Sequence, residues 1–202
     1  MVKNKISKLS PKDKIIGYLI ENKNPHSIME ISGATLIDYK NTYNIIENLQ
    51  PEVISKERIG NTNPIQLKLI PHQEIYSVEK KRTEEFLLKN PKLKLIKEDI
   101  EEIKYPFMIV IVFGSFAKEN NTSASDIDLC IISDNKDKTK QLIEMLNLLS
   151  LKIEIYEFTT QEFISMIEKR QNNLGNEVVK KNIIIYGIEN YYTLISKWMK
   201  KE

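Results

Sequence analysis

The sequence predicts an α+β protein of two domains that a helical segment connects. Up to residue 70, three helix-like segments precede two short segments in which apolar and polar residues alternate. After residue 105, apolar strand-like runs alternate with amphipathic helix-like runs, which is typical of a mixed-sheet α/β domain. A length of 202 residues fits either one or two domains, and the change of pattern favours two.

Three helices are predicted in the first domain from their capping residues. Ser10 followed by Pro11 begins the first helix, because serine is a favoured N-cap and proline suits the first helical position. Ser27 caps the second helix and Asp38 caps the third. On the third helix we expect one apolar stripe, made of Tyr39, Tyr43, Ile46 and Leu49.

Two strand-like segments, residues 53–59 and 65–70, follow these helices with a Gly-Asn-Thr-Asn-Pro turn between them. Three helices followed by a β-hairpin is the order of a winged helix-turn-helix, so residues 1–70 are predicted to form that domain. Its third helix and hairpin carry side chains that suit base edges and phosphates. The candidate DNA contacts are Lys40, Asn41, Thr42, Asn44 and Arg58. Protein docking or dimerisation is the alternative role.

Residues 71–91 are predicted to form a helical linker, and residues 92–202 a second domain. The stretch 71–105 contains 8 basic and 8 acidic residues, a balance that suits a solvated connector. The strand-like runs that follow are residues 107–113, 127–132, 151–158 and 183–186. The helix-like runs are residues 136–149, 160–170, 174–181 and 189–200.

The composition excludes several classes of protein. The formal net charge is +2, from 30 basic and 28 acidic residues, so no strong charge demands a nucleic-acid or membrane partner. A single cysteine, Cys130, excludes internal disulfides and cysteine-based zinc sites. No run approaches the ~18 apolar residues of a membrane span, and we expect a cytoplasmic protein without a secretory leader.

One stretch of the sequence carries the chemistry. Gly114 and Ser115 close an apolar strand, and Asp126 and Asp128 begin the next strand. Strand parity places both aspartates on one face, where their charges repel unless a cation lies between them. Mg²⁺ suits such a site because it prefers carboxylate and phosphate oxygens. Gly114 lets the backbone approach a phosphate, so the pattern indicates phosphoryl or nucleotidyl transfer.

A third carboxylate is expected on the strand at residues 151–158. Glu154 and Glu157 both lie there, and their odd separation puts them on opposite faces. We favour Glu154, because a carboxylate between two isoleucines at the centre of a buried strand needs a function.

Together these residues resemble the DNA polymerase beta-type nucleotidyltransferase superfamily, and most closely its minimal nucleotidyltransferase branch. The resemblance covers residues 92–190. It implies up to two Mg²⁺ ions, a nucleoside triphosphate such as ATP, and transfer of a nucleoside monophosphate with release of pyrophosphate. Asp126, Asp128 and Glu154 would then be the catalytic, metal-binding acids, Glu154 also aiding the attacking hydroxyl. Gly114, Ser115 and Lys118 would hold the nucleotide.

Three positions depart from the family pattern. Lys118 stands where arginine is common, Glu119 where glycine is common, and Glu154 where aspartate is common.

The acceptor of the nucleotidyl group stays open between an RNA 3′ end, a small molecule and a protein hydroxyl. A protein hydroxyl is the acceptor for minimal nucleotidyltransferases that act as antitoxins by AMP transfer. The alternative function is a DNA-binding regulator, for instance a homodimer, whose second domain senses a nucleotide.

Overall fold

The computed structural model describes residues 9–56, 63–122, 125–169 and 172–199. The chain divides into two units, residues 1–68 and 69–202. Each unit buries its own set of aliphatic side chains. Among the described residues, no helix is both long and apolar enough to cross a membrane.

The first unit contains three helices and two strands. They are α1 (Pro11–Glu21), α2 (Ile28–Thr35), α3 (Tyr39–Leu49), β1 (Ile54–Lys56) and β2 (Ile65–Leu67). The side chains of Ser10, Ser27 and Asp38 each accept a hydrogen bond from the backbone N–H three residues later. These bonds satisfy amide groups that a helix start otherwise leaves without partners, which is why the helices begin at these positions.

The buried face of α3 differs from the predicted stripe. Thr42, Ile46 and Leu49 are buried, whereas Tyr39 and Tyr43 are 53% and 41% exposed. The predicted stripe is therefore wrong at Tyr39 and Tyr43, which do not share the buried face of Ile46 and Leu49. The Thr42 hydroxyl donates to the Ile37 carbonyl at 3.3 Å, which satisfies the polar group of a fully buried side chain.

The two short strands of the first unit pair antiparallel, with Ser55 opposite Gln66. His26 also forms an isolated bridge with Ile65, through backbone hydrogen bonds of 2.7 and 2.9 Å. Of the predicted strand 53–59, the structure describes residues 53–56, and β1 comprises the last three of them. Residues 57–62, and with them Arg58, lie outside the described residues.

The second unit contains seven helices and four strands among its described residues. The helices are α4 (Gln73–Lys89), α5 (Leu93–Glu102), α6 (Gly114–Ala117), α7 (Lys136–Asn147), α8 (Thr160–Glu168), α9 (Leu174–Lys180) and α10 (Ile188–Met199). The strands are β3 (Ile109–Val112), β4 (Ile127–Ile132), β5 (Ile153–Phe158) and β6 (Ile183–Tyr186).

These four strands form one mixed sheet in the order β5-β4-β3-β6. β4 runs parallel to β5, while β3 pairs antiparallel with β4 and β6. Ile127, Leu129 and Ile131 of β4 belong to a core cluster that includes residues of α5 and α7. Because alternate residues of a strand face opposite sides, Asp128 and Cys130 point to the other face of the sheet.

The segment predicted as a linker is an integral part of the second unit. Residues 71–91 contain α4, which buries Ile75, Val78, Phe86 and Leu87. It is therefore not a solvated connector. The evenly mixed charges led to that prediction, but the apolar residues recur at helical spacing and give α4 a buried face.

Candidate active site

The acids that the sequence analysis singles out lie at the beginning of two neighbouring strands. Asp128 lies directly opposite Glu154 in the parallel register of β4 and β5. Residues that pair in this way share a face of the sheet. Asp126 is exposed and precedes Asp128 by two residues, immediately before β4. The fold therefore places Asp128 and Glu154 side by side, with Asp126 next to them along the chain.

Gly114 brings the backbone at the start of α6 against the Asp128 carboxylate. Its φ is +63°, a conformation that residues with a Cβ rarely adopt. A Cβ at this position would overlap the carboxylate and lie 2.7 Å from the Asp128 Cγ. The next residue, Ser115, donates a backbone hydrogen bond to Asp128. Both geometry and space therefore require glycine here.

The surroundings of Asp128 favour a cation. Burial raises the pKa of the Asp128 carboxyl group, and the neighbouring Glu154 carboxylate raises it further. Glu177 and Asp126 act in the same direction, whereas the hydrogen bond from Ser115 opposes them. Several negative charges thus meet at a half-buried carboxylate, and positive charge at this point would relieve their repulsion.

Two ion pairs flank α6. The Lys118 ammonium lies 2.7 Å from the Glu177 carboxylate of α9, and both side chains are close to half exposed. Glu119 pairs with Lys89 of α4 at 2.9 Å, and the hydrogen bond from Lys89 lowers the pKa of Glu119. Glu119 has a φ of +55°, a left-handed backbone conformation that glycine adopts without steric strain.

Tyr156 adds a hydroxyl group that the sequence analysis did not single out. It lies on β5 two residues after Glu154, so both side chains share a face. Its hydroxyl donates a hydrogen bond of 2.6 Å to the Glu154 carboxylate. That bond, with burial and the nearby acids, raises the pKa of Tyr156 to about 12. The Tyr156 ring also packs edge-on against Phe113, with 5.6 Å between the ring centroids.

The family comparison agrees with this geometry. The family described as polymerase beta, nucleotidyltransferase, matches residues 92–191, which include α6, β4 and β5. A Methanocaldococcus jannaschii protein that carries the name of a protein adenylyltransferase is 34% identical over 91 residues. The match covers 45% of this chain and 83% of that relative. The chain belongs to the polymerase beta nucleotidyltransferase family. No solved structure shows a significant match to the chain.

Membership of the nucleotidyltransferase family makes the chain an enzyme that transfers nucleotidyl groups. The residues of its candidate site fit a hard divalent cation, because Asp126, Asp128 and Glu154 offer only carboxylate oxygens. Among the described residues, no group of three or more histidines, cysteines or acids is arranged to hold a metal ion. The structure thus brings Asp128 and Glu154 into register without closing a three-acid cage.

Glu154 was chosen over Glu157 as the third acid because it was expected to be buried, and that reason is wrong. The register of Glu154 with Asp128 nevertheless favours the choice. In this nucleotidyltransferase β5 is an edge strand, and Glu154 is exposed instead of buried at a strand centre. Glu157 is exposed as well, but it lies opposite Ile131 in the register. Only Glu154 of the two shares the face of Asp128, because an odd separation reverses the direction of the side chain.

The candidate DNA contacts of the first unit fall into three groups. Lys40, Asn41 and Asn44 are exposed on α3. Thr42 is fully buried, so its assignment as a DNA contact is wrong. Arg58 lies outside the described residues. Thr42 lies on the buried face of α3 with Ile46 and Leu49, so it faces away from solvent.

Proposed function

We propose that this nucleotidyltransferase moves AMP from ATP to a protein hydroxyl in a Mg²⁺-dependent reaction. The observation that carries the proposal is the register of Asp128 with Glu154 beside the Gly114 backbone. The choice of ATP and of a protein acceptor is supported by the relative named as a protein adenylyltransferase.

Each residue of the site has a proposed role. Asp126 and Asp128 hold Mg²⁺, with Glu154 as the third acid. Bound Mg²⁺ supplies positive charge that polarises the phosphate oxygens and stabilises the leaving pyrophosphate. The exposed Glu154 carboxylate accepts the proton of the attacking hydroxyl.

The phosphate-binding part of the site lies on α6. Gly114 leaves room for phosphate oxygens next to the backbone, and the half-buried Ser115 offers its hydroxyl. Lys118 adds a cation for the triphosphate, after exchanging its partner Glu177 for a phosphate.

The proposal is tested by incubating the full chain with Mg²⁺ and ATP labelled at either the α or the γ phosphate, together with candidate acceptor proteins. We expect stable transfer of the α label only. A variant that combines Asp126→Ala with Asp128→Ala should abolish the transfer, while Asp137→Asn, an exposed aspartate on α7, should leave it unchanged. Transfer that survives the double substitution contradicts the assignment of the site.

We also propose a second function, DNA binding by the first unit as a winged helix-turn-helix. It is supported by the order of three helices and two antiparallel strands, and by the exposed polar side chains of α3. Lys40 suits a phosphate or a guanine edge, and Asn41 and Asn44 suit adenine edges.

The DNA proposal is tested by measuring the affinity of the full chain for duplex DNA over a range of salt concentrations. Lys40→Ala should weaken binding and make the salt dependence shallower by about one charge. Lys12→Ala, on α1, is the control and should change both the affinity and its salt dependence less. Binding that is insensitive to salt, or unaffected by Lys40→Ala, contradicts the proposal.

A further inference from the structure

The hydroxyl of Tyr156 lies beside Glu154, the acid proposed above to accept the proton of the attacking hydroxyl. It donates a 2.6 Å hydrogen bond to Glu154, the acid that shares a face and a register position with Asp128. Tyr156 is half-buried, so its hydroxyl is held by the fold yet not sealed from solvent.

A hydroxyl that donates to a carboxylate has the geometry of a nucleophile paired with its general base. The carboxylate takes the proton as the oxygen attacks, so the phenol need not ionise beforehand. The contact with Phe113 places the ring next to the residue that precedes Gly114. Tyr156 therefore touches Glu154 of the acid pair and Phe113, the residue next to the glycine turn.

We propose that Tyr156 is a self-modification site that accepts AMP from the ATP bound in the same chain. This inference rests on the proposed function. A bond forms between the Tyr156 oxygen and the α phosphorus, and the bond from that phosphorus to the oxygen bridging to the β phosphate breaks. Pyrophosphate leaves with the electron pair of that bond, and the phenolic proton moves to Glu154. The product is a phosphodiester between the tyrosine and adenosine.

The chain provides an internal comparison for this assignment. Tyr192 donates a similar hydrogen bond, 2.7 Å long, to the carboxylate of Glu79. Both of those residues are 1% exposed, so no triphosphate reaches them. If hydrogen bonding to a carboxylate were sufficient, both tyrosines would react, whereas the site geometry selects Tyr156 alone.

The test is a peptide map of the full chain after incubation with ATP and Mg²⁺, with pyrophosphate measured in the same reaction. We expect the mass increment of AMP on the peptide that contains Tyr156 and none on the peptide with Tyr191 and Tyr192. Tyr156→Phe should remove the adduct, and Tyr43→Phe, on the first unit, should retain it.

Pyrophosphate release separates the failure of this inference from the failure of the proposed function. Release of pyrophosphate from the wild-type chain without an adduct on Tyr156 overturns the self-modification and leaves nucleotidyl transfer standing. Absence of both pyrophosphate and adduct also overturns the self-modification, whereas the proposed function fails only if the α label is not transferred when acceptor proteins are added. An adduct confined to a different tyrosine also overturns the assignment to Tyr156.

A second measurement needs no turnover. N-acetylimidazole acetylates accessible tyrosine hydroxyls, and the reaction at each tyrosine is followed by peptide mapping. An ATP analogue with a methylene bridge between the α and β phosphates, added with Mg²⁺, should slow acetylation of Tyr156 several-fold and leave Tyr43 unchanged. Equal acetylation of Tyr156 with and without the analogue contradicts its position at the nucleotide.

Discussion

The two units of the chain present candidate surfaces of different kinds. In the second unit, strand register and a glycine turn bring specific groups together at Asp128 and Glu154. In the first unit, the exposed lysine, asparagine and tyrosine side chains are presented by the single helix α3 and not by the register of two strands. We therefore expect single substitutions to reduce activity strongly at the Asp128–Glu154 site. Single substitutions on the exposed face of α3 should have smaller effects. The predictions below test that difference.

The largest difference is expected between the two glutamates of β5. Glu154→Gln removes the proposed proton acceptor and should lower the rate of nucleotidyl transfer by about 100-fold or more. Glu157→Gln, on the same strand with the opposite face, should change the rate less than about twofold, as for a surface substitution. Rates are measured with labelled ATP at saturating Mg²⁺. Equal losses in both variants contradict the assignment of Glu154.

The next comparison sets one glycine of each unit against the other. Gly114→Ala forces a Cβ into the Asp128 carboxylate, and displacement of the acid should lower transfer by about 100-fold. Gly33→Ala lies within α2, where an added Cβ meets open space. It should stabilise the chain by about 0.5–1 kcal/mol. Transfer rates and thermal unfolding check both variants, and an active Gly114→Ala enzyme contradicts the close approach to Asp128.

The helix starts of the first unit are predictable from local sequence, whereas the pairing of acids in the second unit is not. The caps at Ser10, Ser27 and Asp38 depend on a few neighbouring residues, and all three form as predicted. The pairing of Asp128 with Glu154 needs the strand order, which the sequence analysis did not derive. That order also makes β5 an edge strand, which is why the expectation of a buried Glu154 is wrong.

The parts that escaped prediction depend on contacts between distant elements. Glu177 of α9 pairs with Lys118, 59 residues earlier in the chain, and no spacing in the sequence indicates this. Tyr156 could have been found from strand parity, since it follows Glu154 by two residues. Thr42 was wrongly predicted to be an exposed DNA contact, because the sequence does not reveal that its hydroxyl is satisfied by the Ile37 carbonyl. The tyrosines were grouped with the apolar residues, although they are exposed.

A smaller effect, on the KM for ATP, is expected from substitutions in the ion pair of Lys118 with Glu177. Glu177→Gln should lower the KM for ATP about two- to fivefold, since an exposed ion pair contributes roughly 0.5–1 kcal/mol. The reason is that Glu177 competes with the triphosphate for Lys118. Lys118→Ala should raise the KM by a similar factor. Glu119→Gln is the matched control, because its partner is Lys89, and it should leave the KM unchanged. Unchanged KM values in all three variants contradict a role for Lys118.

The smallest effects concern the capping boxes at Glu30 in the first unit and Glu162 in the second. Hydrogen bonds from their N-cap residues lower the pKa of both carboxyl groups below 4.5. Their stabilisation is therefore present above pH 4.5 and is lost as the pH falls through the lowered pKa. Glu30→Ala and Glu162→Ala should each lower the Tm slightly at neutral pH. A difference from wild type that persists unchanged in acid contradicts the capping contribution.

The central claim is that the acids around Asp128 form one magnesium-dependent nucleotide site. It is tested most directly by calorimetry of ATP binding to the full chain with and without Mg²⁺. In the wild-type chain and in the Asp137→Asn control, Mg²⁺ should strengthen ATP binding by about tenfold or more, which corresponds to about 1.4 kcal/mol. In Asp128→Asn this gain should disappear. A gain of equal size in Asp128→Asn would contradict the account.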